Sequence, residues 1–240
     1  ASALTPPLQD DLNSRNQKLY SLFRLSGLED VLDNMESVLE ISGTINEDAL
    51  APGQGAFAKR IMRHAYSHEK FYGVQKQSFL EDYKSQYVIS AVQWYRSSLG
   101  KKILRLENES NNPDLRPEMD LFVEDLLNSP PSEERIFLIE KIERSLRVTE
   151  AGKSLYLGYV KLMYPFNKNN QGKRLGKMLR IFGESITEPI REIVLRGLLF
   201  SYRNLKDKEL EKYVEFLNSK AGRWFSQTTL KGFSKGIKKN

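Results

Sequence analysis

The sequence contains no cysteine and only two histidines, His64 and His68. A chain without thiols has no disulfide framework, no thiolate metal site and no cysteine nucleophile. No stretch approaches the roughly 20 uncharged apolar residues of a membrane-spanning helix, so the sequence predicts no transmembrane segment. Phosphate loops, dinucleotide fingerprints, serine-nucleophile elbows and zinc-protease motifs are also missing. The commonest enzyme classes therefore have no motif to support them.

The 240 residues are 40% hydrophobic and 28% charged, which is typical of a folded globular chain. This length suits one large domain or two small ones. The first residues are Ala1-Ser2-Ala3, without methionine, and this start fits either removal of a leader after export or a trimmed chain.

Charge is distributed unevenly along the chain, whose net charge is +6. Residues 1–50 contain nine acidic and three basic side chains, whereas residues 220–240 contain six basic and none acidic. Two interpretations stay open. The basic tail either pairs with the acidic N-terminal region, within one chain or between two copies, or it makes peripheral contact with an anionic membrane surface. Because residues 231–240 are polar and contain two glycines, we expect the tail to project from the last helix.

Apolar residues recur at steps of three and four along the whole chain, and no useful run alternates with period two. The clearest helix spans 86–106, and Asp207 is the predicted cap of another long helix that continues through Phe225. The sequence therefore predicts an all-α protein of about seven to nine helices.

An internal repeat links the two halves of the chain at a constant offset of 122 residues. The matched pairs are Val92 with Val214, Trp94 with Phe216, Ser97 with Ser219, Gly100 with Gly222, and Lys101 with Arg223. We predict two pseudo-repeated helical bundles packed into one compact helical protein. Module 1 covers 19–107, connecting helices cover 108–147, and module 2 covers 148–232 with a basic tail at 233–240.

The presence of glycine at equivalent helical positions of both repeats needs an explanation. Glycine inside a helix costs about 0.5–1 kcal/mol relative to alanine. We therefore predict that Gly100 and Gly222 each face the backbone of a neighbouring helix. Ser97 and Ser219, three residues earlier and on nearly the same face, are candidates for a hydrogen bond to a preceding carbonyl oxygen or to the neighbouring helix.

The repeated segment resembles a motif of the bacterial family called domain of unknown function 2059. The closer copy is Trp94-Tyr95-Arg96-Ser97-Ser98-Leu99-Gly100-Lys101-Lys102. The looser copy runs from Phe216 to Arg223, after the acidic start Asp207-Lys208-Glu209-Leu210. The resemblance implies an exported, all-helical protein, and it supplies no catalytic residues.

His64 and His68 are the residues that come nearest to forming a metal-binding or catalytic site. A spacing of four would place both imidazoles on one face of a helix, where zinc or copper binding would need a third ligand. Arg60, Arg63 and Lys70 would repel a cation there, so we expect no metal and at least partial exposure of one ring. The acidic pair Glu133-Glu134 is explained by the preference of a helix N-terminus for negative charge.

These observations predict a periplasmic or secreted, non-enzymatic helical protein that binds a partner. The predicted partner is a protein or an envelope component, or a second copy of the chain in a homo-oligomer, held in a groove between helices or along the basic tail. Nucleic acid is disfavoured as a partner. No catalytic, metal-ligating or cofactor-binding residue is assigned, and no cofactor is expected. The competing interpretation is a metal-dependent or other hydrolase centred on His64 and His68.

Overall fold

A computed structural model describes residues 6–35, 52–166 and 175–238, and all secondary structure in these ranges is helical. The α-helices are α1 (Pro6–Leu25), α2 (Leu28–Asp33), α3 (Gly55–Ala65), α4 (His68–Glu81), α5 (Ser85–Arg96), α6 (Ser98–Ser110), α7 (Arg116–Asn128), α8 (Glu133–Leu146), α9 (Val148–Met163), α10 (Leu175–Ser185), α11 (Thr187–Ser201), α12 (Asp207–Asn218) and α13 (Lys220–Lys238). Short 3-10 helices occupy Pro113–Leu115 and Tyr164–Phe166. The predicted all-α class is confirmed. No described helix is long and apolar enough to cross a membrane.

The described helices outnumber the seven to nine predicted, because α1 was not predicted and because single residues with extended backbone interrupt long periodic segments. The predicted helix 86–106 is broken at Ser97, whose φ and ψ are −64° and 159°. The predicted helix after Asp207 is broken in the same way at Ser219, with φ and ψ of −66° and 164°. Apolar periodicity continues through both breaks, since the helices on either side bury their residues in the same core. The sequence pattern therefore could not reveal these two breaks, at which one helix ends and the next begins in a new direction.

Helices from both halves of the chain contribute to one hydrophobic core. The last helix, α13, packs chiefly along α4 and α5, while α12 packs along α8 and α9 packs against α11. Aromatic rings fill the contact of α13 with α4: Phe79 meets Trp224 edge to face, with ring centroids 5.2 Å apart. The indole Nε1 of Trp224 donates a 2.8 Å hydrogen bond to the Asp82 carbonyl oxygen. This bond satisfies the polar end of a buried ring.

The prediction that the basic tail projects is wrong, because α13 continues to Lys238 and packs on α4. Its glycines make that contact close. A Cβ atom added at Gly232 would lie 2.2 Å from Gln75 Oε1, and one added at Gly236 would lie 2.6 Å from Phe71 Cε1. Glycines four residues apart lie on one face of α13, and because they have no side chains this face can pack closely against α4.

The lysines of this tail segment have a partner outside the acidic N-terminal region. Lys235 Nζ lies 2.6 Å and Lys231 Nζ lies 3.3 Å from Glu81 Oε2. These ion pairs replace, for both lysines, the predicted pairing with residues 1–50. Lys239, and the acidic residues Glu36, Glu40, Glu47 and Asp48, lie outside the described residues.

Candidate functional site

The repeated Ser-x-x-Gly segments form two helix corners with the same geometry. At each corner the serine caps the following helix, and its Oγ accepts a 3.0 Å hydrogen bond from the amide of the glycine. A Cβ atom at Gly100 would lie 2.3 Å from the Trp94 carbonyl oxygen, and one at Gly222 would lie 2.1 Å from that of Phe216. The prediction that each glycine faces a helix backbone is confirmed. The neighbour is the helix that precedes the corner.

The two corners also contact each other through equivalent residues. The rings of Trp94 and Phe216 stack, with centroids 4.6 Å apart and planes inclined by 7°. Nearby, Lys102 Nζ lies 2.8 Å from Glu209 Oε1, and Glu209 Oε2 accepts a 2.9 Å hydrogen bond from the Lys206 amide. Asp207 is the first residue of α12 rather than its cap, because Lys206 takes the capping position. These contacts fix where α12 begins.

The structure does not bring His64 and His68 onto one helix face. Helix α3 ends at Ala65 and α4 begins at His68, so Tyr66 and Ser67 separate the two rings. Both histidines are exposed, and His68 Nε2 lies 3.4 Å from Asp33 Oδ1. Among the described ranges, no three histidine or acidic residues are grouped as metal ligands would be. The expectation of a shared face is wrong, because the spacing of four spans a helix break.

The half-buried side chain of Glu107 joins α6 to the end of α11 and to the middle of α12. The Tyr202 hydroxyl donates a 2.5 Å hydrogen bond to Glu107 Oε1, and the Tyr213 hydroxyl donates to the same oxygen at 3.4 Å. Burial raises the pKa of Glu107, although both hydrogen bonds act in the opposite direction. No sequence motif indicates this cluster, because its members are far apart in the chain. It positions α12 and its neighbours, so we assign it a structural role.

The Glu107→Gln variant should gain stability relative to wild type as the pH rises from about 4 to about 7. The amide keeps an acceptor oxygen for Tyr202 and carries no charge. In the wild type the raised pKa of Glu107 favours the protonated folded state, and this stabilisation is lost as the pH rises through the folded-state value. Urea unfolding at both pH values measures the difference. A difference independent of pH would show that Glu107 ionises equally easily in the folded and unfolded chains.

Arg135 clamps α8 to the start of α12. Its Nη1 donates to the Tyr202 carbonyl oxygen at 3.2 Å, and Nη2 donates to that of Leu205. Nη2 also lies 2.9 Å from Asp207 Oδ1, and the Arg135 side chain is only 19% exposed. A planar guanidinium with several donors suits this three-way contact. The two helices that Arg135 joins, α8 and α12, are the walls of a groove.

That groove, of about 900 Å³, lies between α8 and α12, and we call it the α8–α12 groove. Its apolar floor includes the buried side chains of Leu138 and Val214, and Phe137 beside them is 50% exposed. The ammonium group of Lys141 lies 4.1 Å from the centroid of the Phe137 ring. A half-exposed aromatic ring beside an apolar floor is a surface that a partner can cover.

Four exposed carboxylates line the α8–α12 groove: Glu133, Glu134, Glu211 and Glu215. Within the part of the chain that the structure describes, none of the four has an ion-pair partner. The first pair follows the Ser132 cap in the first turn of α8, where a helix N-terminus favours acid. Glu211 and Glu215 are i and i+4 on α12, a like-charge spacing that destabilises a helix by a few tenths of a kcal/mol. Lys208 and Lys212 precede them by three residues on the same helix and Lys141 lines the same groove, but none of these lysines forms an ion pair with either glutamate in the described part of the chain.

Sequence reasoning explained Glu133-Glu134 as a capping feature and missed the groove. The four acids come from segments about 80 residues apart, and only the packing of α8 on α12 brings them together. Comparisons with protein-family models, with curated proteins and with solved structures found no match to this chain. The site is therefore interpreted from its own geometry.

Proposed function

We propose that this chain is an exported, non-enzymatic binding protein that holds a cationic segment of a partner protein or envelope component in the α8–α12 groove. The observation that carries the proposal is the combination of an apolar floor with four unpaired carboxylates on the groove walls. The proposed periplasmic or secreted location, and membership of the family called domain of unknown function 2059, rest on the sequence resemblance.

Charge complementarity favours a basic, amphipathic partner segment. Lysine or arginine side chains of the segment would relieve the repulsion between Glu211 and Glu215 and neutralise Glu133 and Glu134. Apolar side chains of the same segment would cover Phe137, which supplies an aromatic anchor of the kind that dominates interface energetics. An amphipathic helix laid into a groove between two helices meets both demands. Opposite charge would also accelerate association at low salt.

The α8–α12 groove is a stronger candidate for the partner-binding site than the basic tail. Lys231 and Lys235 already pair with Glu81, and α13 buries one of its faces against α4. The competing hydrolase hypothesis has no comparable support, because His64 and His68 lie on separate helices.

We further propose that the two pseudo-repeated modules, 19–107 and 148–232, reflect an internal duplication. The equal geometry of the Ser97 and Ser219 corners supports this, as does the stacking of the equivalent residues Trp94 and Phe216. On this proposal, only module 2 supplies α12, so the groove is a feature of one module and of the connecting helix α8.

We predict that a labelled leucine-lysine amphipathic peptide of about four helical turns binds the full chain, as measured by fluorescence anisotropy. A leucine-glutamate peptide of the same length should not bind. Replacing Glu133, Glu134, Glu211 and Glu215 by glutamine should weaken binding of the basic peptide about 100-fold at low salt.

The matched control removes four exposed acids elsewhere: Asp114, Asp120, Glu124 and Asp125, each changed to its amide. Both variants lower the negative charge equally, so an effect of net charge alone would weaken binding in both. The proposal requires a large loss in the groove variant and a loss of less than about threefold in the control. Equal losses, or undiminished binding to the groove variant, would contradict it.

A further inference from the structure

Positive charge is concentrated in one continuous segment of the chain, residues 151–183. This segment contains seven basic side chains and no acidic one. The other 207 residues contain 30 basic and 31 acidic side chains, so the net charge of +6 comes from this segment. Such segregation creates a local positive field that attracts anionic partners. Three of the seven, Lys168, Lys173 and Arg174, lie outside the described residues.

Three described basic residues of the segment are exposed on α9 and α10, two helices that pack against each other. They are Lys161, Lys177 and Arg180. Neither lysine forms an ion pair with an acidic side chain in the described part of the chain. Arg180 lies 3.1 Å from Glu184, but the two side chains are 66% and 68% exposed. A pair as exposed as this one contributes little, so the guanidinium stays available to a stronger anionic partner.

Helix α10 also exposes apolar side chains beside these charges. Ile181 is 50% exposed and follows Lys177 by four residues, so the two side chains share one face of the helix. Phe182 is 38% exposed, and its ring stacks on that of Tyr156 in α9 with centroids 5.9 Å apart. Exposed apolar and basic side chains on one helix are typical of segments that lie in a membrane interface.

Helix α3 brings the same combination to α9, against which it also packs. Its sequence contains three lysine or arginine residues and no acidic one. Phe57 is 43% exposed and meets Phe166, which follows α9, edge to face with ring centroids 5.7 Å apart. The Arg60 guanidinium lies over the Phe57 ring, 5.2 Å from its centroid. Basic and apolar groups are thus exposed on both helices that adjoin α9.

We propose that α3, α9 and α10 form a face that lies on an anionic lipid bilayer, and we call it the basic face. Its exposed members are Phe57, Arg60, Lys161, Lys177, Arg180 and Ile181. On the membrane the ammonium and guanidinium groups contact headgroup phosphates. The apolar side chains reach the boundary between the headgroups and the acyl chains.

A bilayer suits the basic face better than nucleic acid does. The phosphates of either would attract the basic side chains, but a base stacks on aromatic rings and offers nothing to an exposed aliphatic side chain such as Ile181. The basic tail is less suited to a membrane, because Lys231 and Lys235 already pair with Glu81. The basic face shares no residue with the α8–α12 groove, so the two proposals are independent.

The test is cosedimentation of the full chain with phosphatidylcholine vesicles that contain about 30% phosphatidylglycerol. We expect binding at about 0.05 M salt that weakens at least tenfold at about 0.3 M salt, because the headgroup contacts are screened. Vesicles of phosphatidylcholine alone should bind at least tenfold more weakly than the anionic vesicles. Absence of binding to the anionic vesicles at low salt would overturn the proposal.

The double variant Lys177→Gln, Arg180→Gln should weaken binding to anionic vesicles about 20-fold, since each basic residue near the surface contributes about fivefold. The matched control is Lys101→Gln, Arg105→Gln on α6, where both residues are exposed. Arg105 pairs with Glu109 at the same spacing of four as Arg180 with Glu184, so each variant also frees one glutamate. The control should lose less than about threefold. Equal losses would show that only net charge matters and would overturn the proposal.

A second pair of variants tests the apolar contact. Ile181→Ser should weaken vesicle binding about fivefold, because the exposed half of the side chain no longer enters an apolar environment. Ile89→Ser on α5 changes an isoleucine that is 48% exposed and should bind as the wild type does. Thermal unfolding shows that each variant is folded. Wild-type binding by Ile181→Ser, or binding to duplex DNA without binding to vesicles, would overturn the proposal.

Discussion

We expect the Gly222→Ala variant to be about 2–4 kcal/mol less stable than the wild-type chain in urea unfolding. The added Cβ would lie 2.1 Å from the Phe216 carbonyl oxygen and 2.8 Å from the Leu217 Cα. Both obstacles are backbone atoms of α12, so no side-chain rotation relieves the contact. The α12–α13 corner must open, and the packing of α13 along α4 and α5 would be disturbed with it. Gly100→Ala should behave alike, because its Cβ would meet the Trp94 carbonyl oxygen at 2.3 Å.

Gly73→Ala is the matched control for the effect of alanine in a helix. Gly73 lies within α4, is exposed, and has no atom within 4 Å of an added Cβ. The same substitution should therefore stabilise the protein by about 0.5–1 kcal/mol. Opposite signs at positions 222 and 73 are the expected result. A neutral or stabilising Gly222→Ala would contradict the corner geometry.

The Arg135→Met variant should lose about 3 kcal/mol of stability. Methionine fills part of the volume but donates no hydrogen bond, so the carbonyl oxygens of Tyr202 and Leu205 lose their donor. The carboxylate of Asp207 loses the cation that lies 2.9 Å from it. The Arg135 side chain is 19% exposed and that of Asp207 is 35% exposed, so the pair is partly buried, and removing its cation leaves the other charge uncompensated.

Two further variants test whether the stability loss comes from the specific contacts of Arg135 or would follow the removal of any arginine from α8. Arg144→Met removes an exposed arginine of the same helix, whose pairing with Glu140 at 4.0 Å should contribute less than about 0.5 kcal/mol. Adding Asp207→Asn to Arg135→Met should recover part of the lost stability, since it removes the stranded charge. Equal losses for Arg144→Met and Arg135→Met would exclude a specific role for the clamp.

The sequence was informative wherever the determining contacts are local. Apolar periodicity predicted helices throughout, and the offset of 122 residues singled out Gly100 and Gly222 before their surroundings were known. The breaks at Ser97 and Ser219 escaped prediction, because one extended residue does not interrupt a pattern that both flanking helices bury in the same core. His64 and His68 illustrate the same difficulty, since their spacing of four is meaningful only within a continuous helix.

Features that depend on distant segments could not be predicted. By helix propensity alone, Gly232 and Gly236 disfavour an interior helix, yet their missing side chains allow α13 to approach Phe71 and Gln75. Likewise, Glu133 has a sufficient local explanation as a first-turn acid. Its second role, opposite Glu211 across a groove, follows only from the packing of α8 on α12.

The most direct test of the proposed function is a map of where a cationic amphipathic peptide binds. Titrating the leucine-lysine peptide into the isotopically labelled full chain and following backbone amide shifts locates the contact without mutation. We predict saturable shifts concentrated at residues 133–141 and 211–215, the two walls of the α8–α12 groove. Shifts concentrated on the acidic helix α7 or spread over all acidic surfaces would contradict it, as would the absence of saturable binding.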